Sequence, residues 1–124
     1  MNILSKLFSA KENSYSFTLE SHYKGFKAFP MVVHGDQEAE KNNKHFKDAD
    51  MSGKKISFID EDPKRITIHI DGKKVGTLFD ANYIKKVRNG AFDKIYAKIE
   101  TETVIGKNKT VSHPRIKLFV HYKE

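Results

Sequence analysis

The chain has 124 residues, no cysteine, a formal net charge of +7 and 31% charged residues. That length suits a single domain with one core. Without cysteine, disulfide scaffolds, thiolate metal sites and thiol catalysis are excluded, and no apolar run approaches the roughly 20 residues of a membrane-spanning helix. The charge is uneven: residues 1–62 hold 9 Lys+Arg against 10 Asp+Glu, whereas residues 63–124 hold 14 against 6. A basic half-chain favours polyanionic partners, nucleic acid before anionic lipid, because Lys and Arg on phosphates release condensed counterions. Lysine far outnumbers arginine, which argues against base-specific reading by bidentate guanidinium forks.

In chain order, Ile3, Leu4, Leu7 and Phe8 fall on one helical face. Residues 1–14 therefore read as an amphipathic segment expected to dock on the domain or on a second copy, with Leu4, Leu7 and Phe8 as the candidate homodimer contact; the alternative is a membrane- or partner-binding tail. The segment is too short and too weakly charged for a signal peptide, so a cytoplasmic location is expected. The remainder, 15–124, reads as one domain. Tyr15, Phe17 and Leu19 alternate with polar residues, the period of a half-buried strand. A turn centred on Gly25 leads to an apolar segment at 29–33, which Pro30 confines to a sheet edge or a break. Residues 35–53 carry charges of both signs around few apolar anchors. A helix over Gln37 to Phe46 is conceivable there, but two asparagines weaken it, and the segment reads as a polar excursion. Its Asp-Ala-Asp-Met-Ser-Gly end lacks the glutamate and spacing of a calcium loop.

A strand at Lys55 to Ile59 and an acidic turn at Asp60 to Pro63 precede the organising stretch, Arg65 to Gly90. Ile66, Ile68 and Ile70 alternate with Thr67 and His69, and Asp71-Gly72 supplies the positive φ angles of a two-residue hairpin turn. The returning strand, Lys73 to Phe79, is interrupted by Gly76, the mark of a bulge or of close approach by another backbone. Asp80 caps a short helix, Ala81 to Asn89, with Tyr83, Ile84 and Val87 inward and Lys85 and Lys86 outward. Phe92 to Val104 then places Ile95, Ala97 and Ile99 on one face and Tyr96, Lys98 and Glu100 on the other. After a basic turn at Ile105 to Thr110, a last strand, Arg115 to Tyr122, turns Ile116, Leu118, Val120 and Tyr122 inward and Arg115, Lys117, Phe119 and His121 outward. The fold class is mainly β with one or two short helices, arranged as a small antiparallel OB-like barrel or strongly curled sheet.

Catalytic motifs are absent: the chain has no Walker loop, nucleophile elbow, zincin helix or dinucleotide fingerprint, and neither enzyme activity nor a cofactor or metal is expected. The carboxylates of Asp60, Glu61 and Asp62 are the sole nuclease-like cluster, and a solvated turn accounts for them. His69 and His121 lie on outer strand faces and would meet if their strands paired, without a third ligand for zinc. The positive signal is basic and aromatic. Lys73, Lys74, Lys85, Lys86, Arg88, Lys94, Lys98, Arg115 and Lys117 surround the hairpin, its helix and the last strands, with Tyr23, Tyr96 and Phe119 outward near them; the alternative for Phe119 is coverage by the N-terminal helix, whose Leu4, Leu7 and Phe8 need a partner. Such surfaces bind single strands by tracking phosphates with cations and stacking rings on bases, at about 1–3 kcal/mol per stacked base.

The run Lys55 to Ile99, with Val75-Gly76-Thr77-Leu78 ahead of the short helix and the early His22-Tyr23-Lys24-Gly25, resembles the HIRAN domain. That family is a small OB-like barrel found in fork-remodelling DNA translocases and as a stand-alone bacterial and phage domain. The resemblance implies a module that recognises single-stranded or end-bearing DNA. The family's end-binding signature is represented here only by Asp60 to Arg65, without its aromatic-Asp pair, and the 35–53 excursion is longer than the family pattern. The leading expectation is a non-catalytic nucleic-acid-binding module. The alternative is a protein-interaction or homo-oligomerisation module.

Overall fold

A computed structural model describes residues 14–21 and 28–123. The candidate dimer residues Leu4, Leu7 and Phe8, and the candidate ring Tyr23, lie outside them. The elements run β1 (Ser14–Thr18), β2 (Phe29–Met31), α1 (Gln37–Phe46), β3 (Lys55–Asp62), β4 (Arg65–Ile70), β5 (Lys73–Leu78), α2 (Ala81–Arg88), β6 (Phe92–Ile105) and β7 (Thr110–Tyr122). The protein is mainly β. One antiparallel sheet has the order β1-β3-β4-β5 and the other β2-β7-β6. No closed barrel forms among the described residues, but two seams join the sheets. At one, the Glu20 N–H donates to the Ile95 carbonyl of β6 (2.8 Å) as the chain leaves β1. At the other, His34 and Thr77 exchange backbone hydrogen bonds of 2.8 Å, tying the chain after β2 to β5. No described helix is long and apolar enough to cross a membrane.

The β4–β5 hairpin forms as its residues dictate. Asp71 and Gly72 take φ of 51° and 82°, the left-handed pair whose twist matches the strands. Gly76 serves both uses of a strand glycine. The register shifts beside it, with Ile68 opposite Gly76 but His69 opposite Lys74. A Cβ there would also collide with the Val33 side chain and come within 3.3 Å of the His34 carbonyl. The close approach is the second seam itself.

Two expectations are corrected. The 35–53 segment is no mere polar excursion, for it contains α1, capped by Asp36, whose carboxylate accepts the Ala39 N–H at 2.8 Å. The asparagines that argued against a helix anchor it instead. Asn42 donates to the Lys74 carbonyl (2.7 Å), and buried Asn43 reaches toward the carbonyls of Val75 and Pro114 (both 3.4 Å). They thereby tie α1 to backbone carbonyls of β5 and β7. The two histidines do not meet, because β4 and β7 belong to different sheets. His69 contacts Thr67 (3.1 Å), and His121 contacts Asp93 (2.7 Å).

The core lies between the sheets. Ile56, Phe58, Ile66, Ile68, Ile70, Val75 and Leu78 come from the first, Ile95, Leu118 and Val120 from the second, and Ile84 and Val87 from α2. Each such side chain contributes roughly 1.5–3 kcal/mol by leaving water. Strand β7 extends back to Thr110 and so includes Pro114, which lacks an N–H. Its carbonyl faces Asn43, and the nitrogen of an extended residue points the same way, so no bond to β6 is lost.

Candidate nucleic-acid interface

The outer face of the β2-β7-β6 sheet is assembled by alternation and register. Ile95, Ala97, Leu118 and Val120 are buried, so the residues between them face away from the core. Pairing sets Lys94 opposite His121, Tyr96 opposite Phe119, Lys98 opposite Lys117 and Glu100 opposite Arg115. Pro30 flanks Phe119 from β2. The rings of Tyr96 and Phe119 are half-buried, with centroids 6.1 Å apart and planes tilted by 46°. The Lys98 ammonium lies 5.7 Å from the Phe119 ring centre, close enough for attraction to the ring face.

Carboxylates interleave with these cations. Lys98 meets Glu100 at 2.8 Å, Arg115 meets Glu102 at 3.2 Å, Lys117 lies 3.9 Å from Glu102, and Lys94 lies 3.8 Å from Asp93. The hydrogen bond from Lys98 holds the Glu100 carboxyl below its ordinary range, and His121 does the same for Asp93. All of these are surface pairs, which typically contribute about 0–1 kcal/mol each. The face presents a ring pair in a mixed field with a modest excess of positive charge. Rings and cations side by side are the chemistry that stacks planar groups and holds phosphates, and among the described residues the face shows no nucleophile with an adjacent base.

Of the residues singled out from the sequence, Tyr96, Lys98, Arg115, Lys117 and Phe119 come together on this face. Lys94, opposite His121, is on it too, and the other described ones do not join them. Lys73 is exposed at the start of β5. The Lys74 ammonium binds Asp36 at 2.7 Å, which ties β5 to the cap of α1. Lys85 and Lys86 are exposed on α2, and Lys86 sits 4.8 Å above the Tyr122 ring, on the side of β7 opposite Phe119. Arg88 is committed to the scaffold. Its Nε and Nη2 grip Asp60 at 2.8 and 2.7 Å, and it also donates to the carbonyls of Asp62 (2.8 Å) and Pro63 (3.2 Å). The hydrogen bond to Asp60 raises the guanidinium pKa further.

The acidic turn is likewise partnered within the fold. Besides Asp60, Glu61 accepts from the Thr67 hydroxyl (3.0 Å), and Asp62 accepts the Lys64 N–H (2.8 Å) and pairs with Arg65 (3.4 Å). Sequence reasoning missed Phe79. Leu78 is buried, and the residue after it is 53% exposed, edge-on to His34 at 5.4 Å between ring centres. An apolar pair at a strand end, one residue of which must face outward, was the available signal. No protein-family model matches this chain, and comparison with curated proteins and with solved structures returned no match.

Proposed function

We propose that this protein is a non-catalytic, cytoplasmic nucleic-acid-binding module that takes single-stranded or end-bearing DNA across the outer face of the β2-β7-β6 sheet. The supporting observation is the Tyr96–Phe119 ring pair with Lys98 beside it and Lys117 and Arg115 along the same two strands. Rings spaced along a sheet offer stacking surfaces that tolerate any base, and the cations follow the backbone. The architecture in this reading is HIRAN-like, an OB-type curl in which the Glu20–Ile95 and His34–Thr77 seams bring the sheet edges toward closure. The family's end-binding pocket is not part of the proposal, because Asp60, Glu61 and Asp62 are engaged by Arg88, Thr67 and Arg65.

Fluorescence anisotropy with a labelled single-stranded oligonucleotide tests the reading. Loss of one stacked base costs about 1–3 kcal/mol, so Phe119→Ala is expected to weaken binding by about five- to 150-fold. Unchanged affinity in Phe119→Ala and Tyr96→Ala alike would remove the sheet face as the site.

A further inference from the structure

A second surface, separate from the ring-bearing face, lies where the β3–β4 turn meets α2. A half-open cleft of about 480 Å³ separates them. Pro63 from the turn, Phe79 from the end of β5, and Ala81 and Ile84 from α2 supply its apolar lining, while Lys64 and Lys85 supply its charge; Arg88 also lines it, its guanidinium paired with Asp60. Among the described residues no carboxylate lines it. Phe79 is 53% exposed, an unusual state for a phenylalanine in a domain whose other large apolar side chains mostly reach the core.

The cleft walls are held in place. Arg88 bridges from α2 to Asp60 and to the carbonyls of Asp62 and Pro63, so the turn and the helix keep a set separation. Asp80 caps α2 through the N–H groups of Asn82 (2.9 Å) and Tyr83 (3.2 Å), which fixes the helix start beside Phe79. A site of this kind is pre-formed, and pre-formed clefts bind without a large ordering cost.

From this geometry we infer that the cleft is a docking site for an acidic peptide segment of another protein, which inserts one aliphatic or aromatic side chain between Pro63, Phe79 and Ile84 while its flanking carboxylates meet Lys64 and Lys85. The charge of the lining selects the sign of the partner, since cations without a lining carboxylate disfavour a basic segment. The shape selects the class. A half-open cleft accepts one anchored side chain with its backbone outside, whereas a fatty chain requires most of its surface enclosed. The occupant does not depend on nucleic-acid binding, because none of the cleft residues lies on the ring-bearing face.

The test uses the full chain and a panel of fluorescein-labelled peptides, each with a single Leu, Ile, Phe, Tyr or Trp flanked by aspartates and glutamates. Each has one control with lysines in place of the acids and another with alanine in place of the anchor. At least one acidic member is expected to bind, and both of its controls to bind tenfold or more weakly. Phe79→Ser, and separately the Lys64→Glu/Lys85→Glu double variant, should each weaken that peptide by about tenfold, while Phe119→Ala leaves it unchanged. Phe79, Lys64 and Lys85 are exposed, and a thermal melt of each variant checks that it folds. The proposal is overturned if no acidic peptide exceeds its controls or if the cleft variants bind it as tightly as the parent. It is also overturned if dodecanoate or an oligonucleotide, rather than peptide, proves to be the ligand whose affinity Phe79→Ser reduces.

Discussion

Asp36 acts on two elements at once. Its carboxylate accepts the Ala39 N–H at the start of α1 and binds the Lys74 ammonium of β5. The Lys74 hydrogen bond is the main reason its pKa falls below the ordinary 3.8, the Ala39 N–H adds to it, and slight burial opposes it. A carboxyl with a lowered folded pKa contributes stability that is complete above its unfolded value and is lost as pH falls through the folded one. Asp36→Ala should therefore cost about 1 kcal/mol near neutrality, the usual cost of a lost N-cap, as measured by urea unfolding. The difference from the parent should shrink below pH 3.8 as the parent carboxyl protonates. Asp36→Asn keeps a capping oxygen and should cost less. Gly76 offers a steric counterpart. Its Cβ would run into Val33 and crowd the His34 carbonyl at the seam, so Gly76→Ala should destabilise by about 1–3 kcal/mol in the same assay.

At the scale of elements, the Arg88–Asp60 clamp joins α2 to the β3–β4 turn, and Asp60 is only 15% exposed in the pair. Arg88→Leu removes several charge-assisted hydrogen bonds and leaves a mostly enclosed carboxylate. Thermal and urea unfolding should record a loss of about 2 kcal/mol. The clamp also shows where sequence reading reaches its limit. The Arg65 to Gly90 unit was legible because its signals are local: alternating isoleucines, a two-residue turn, a capping aspartate and an inward trio on one short helix. Asp60 stands 28 residues from Arg88, and Asp36 stands 38 from Lys74. No periodicity reports partners that far apart, so both cations read as solvent-facing. Helix α1 was obscured for a related reason. Intrinsic propensity counts Asn42 and Asn43 against a helix, but their value lies in β5 and β7 carbonyls that only the folded chain supplies.

For the molecule as a whole, the inward and outward faces of β6 and β7 were legible from alternation, which is why Tyr96, Lys98, Arg115, Lys117 and Phe119 could be assigned to one face. Their mutual placement depends on a register that spans both strands, and the interleaved Asp93, Glu100 and Glu102 temper the field that the net charge suggests. The basic second half does not converge on a single groove: part braces the scaffold, part rims the cleft beside α2, and part lies with the rings. Nucleic-acid affinity should therefore depend on salt only moderately. With Lys98, Arg115 and Lys117, and Lys94 as a fourth, contacting phosphates, log K should fall by about 2–3 per decade of salt at roughly 0.7 per contact. Lys98→Glu and Lys117→Glu should weaken every oligonucleotide sequence alike. The most direct test of the sheet face is a chemical-shift map of isotope-labelled protein titrated with a single-stranded oligonucleotide at low salt. The account predicts shifts concentrated at residues 94–98 and 115–121. Shifts confined to α2 and the β3–β4 turn, or none anywhere, would contradict it.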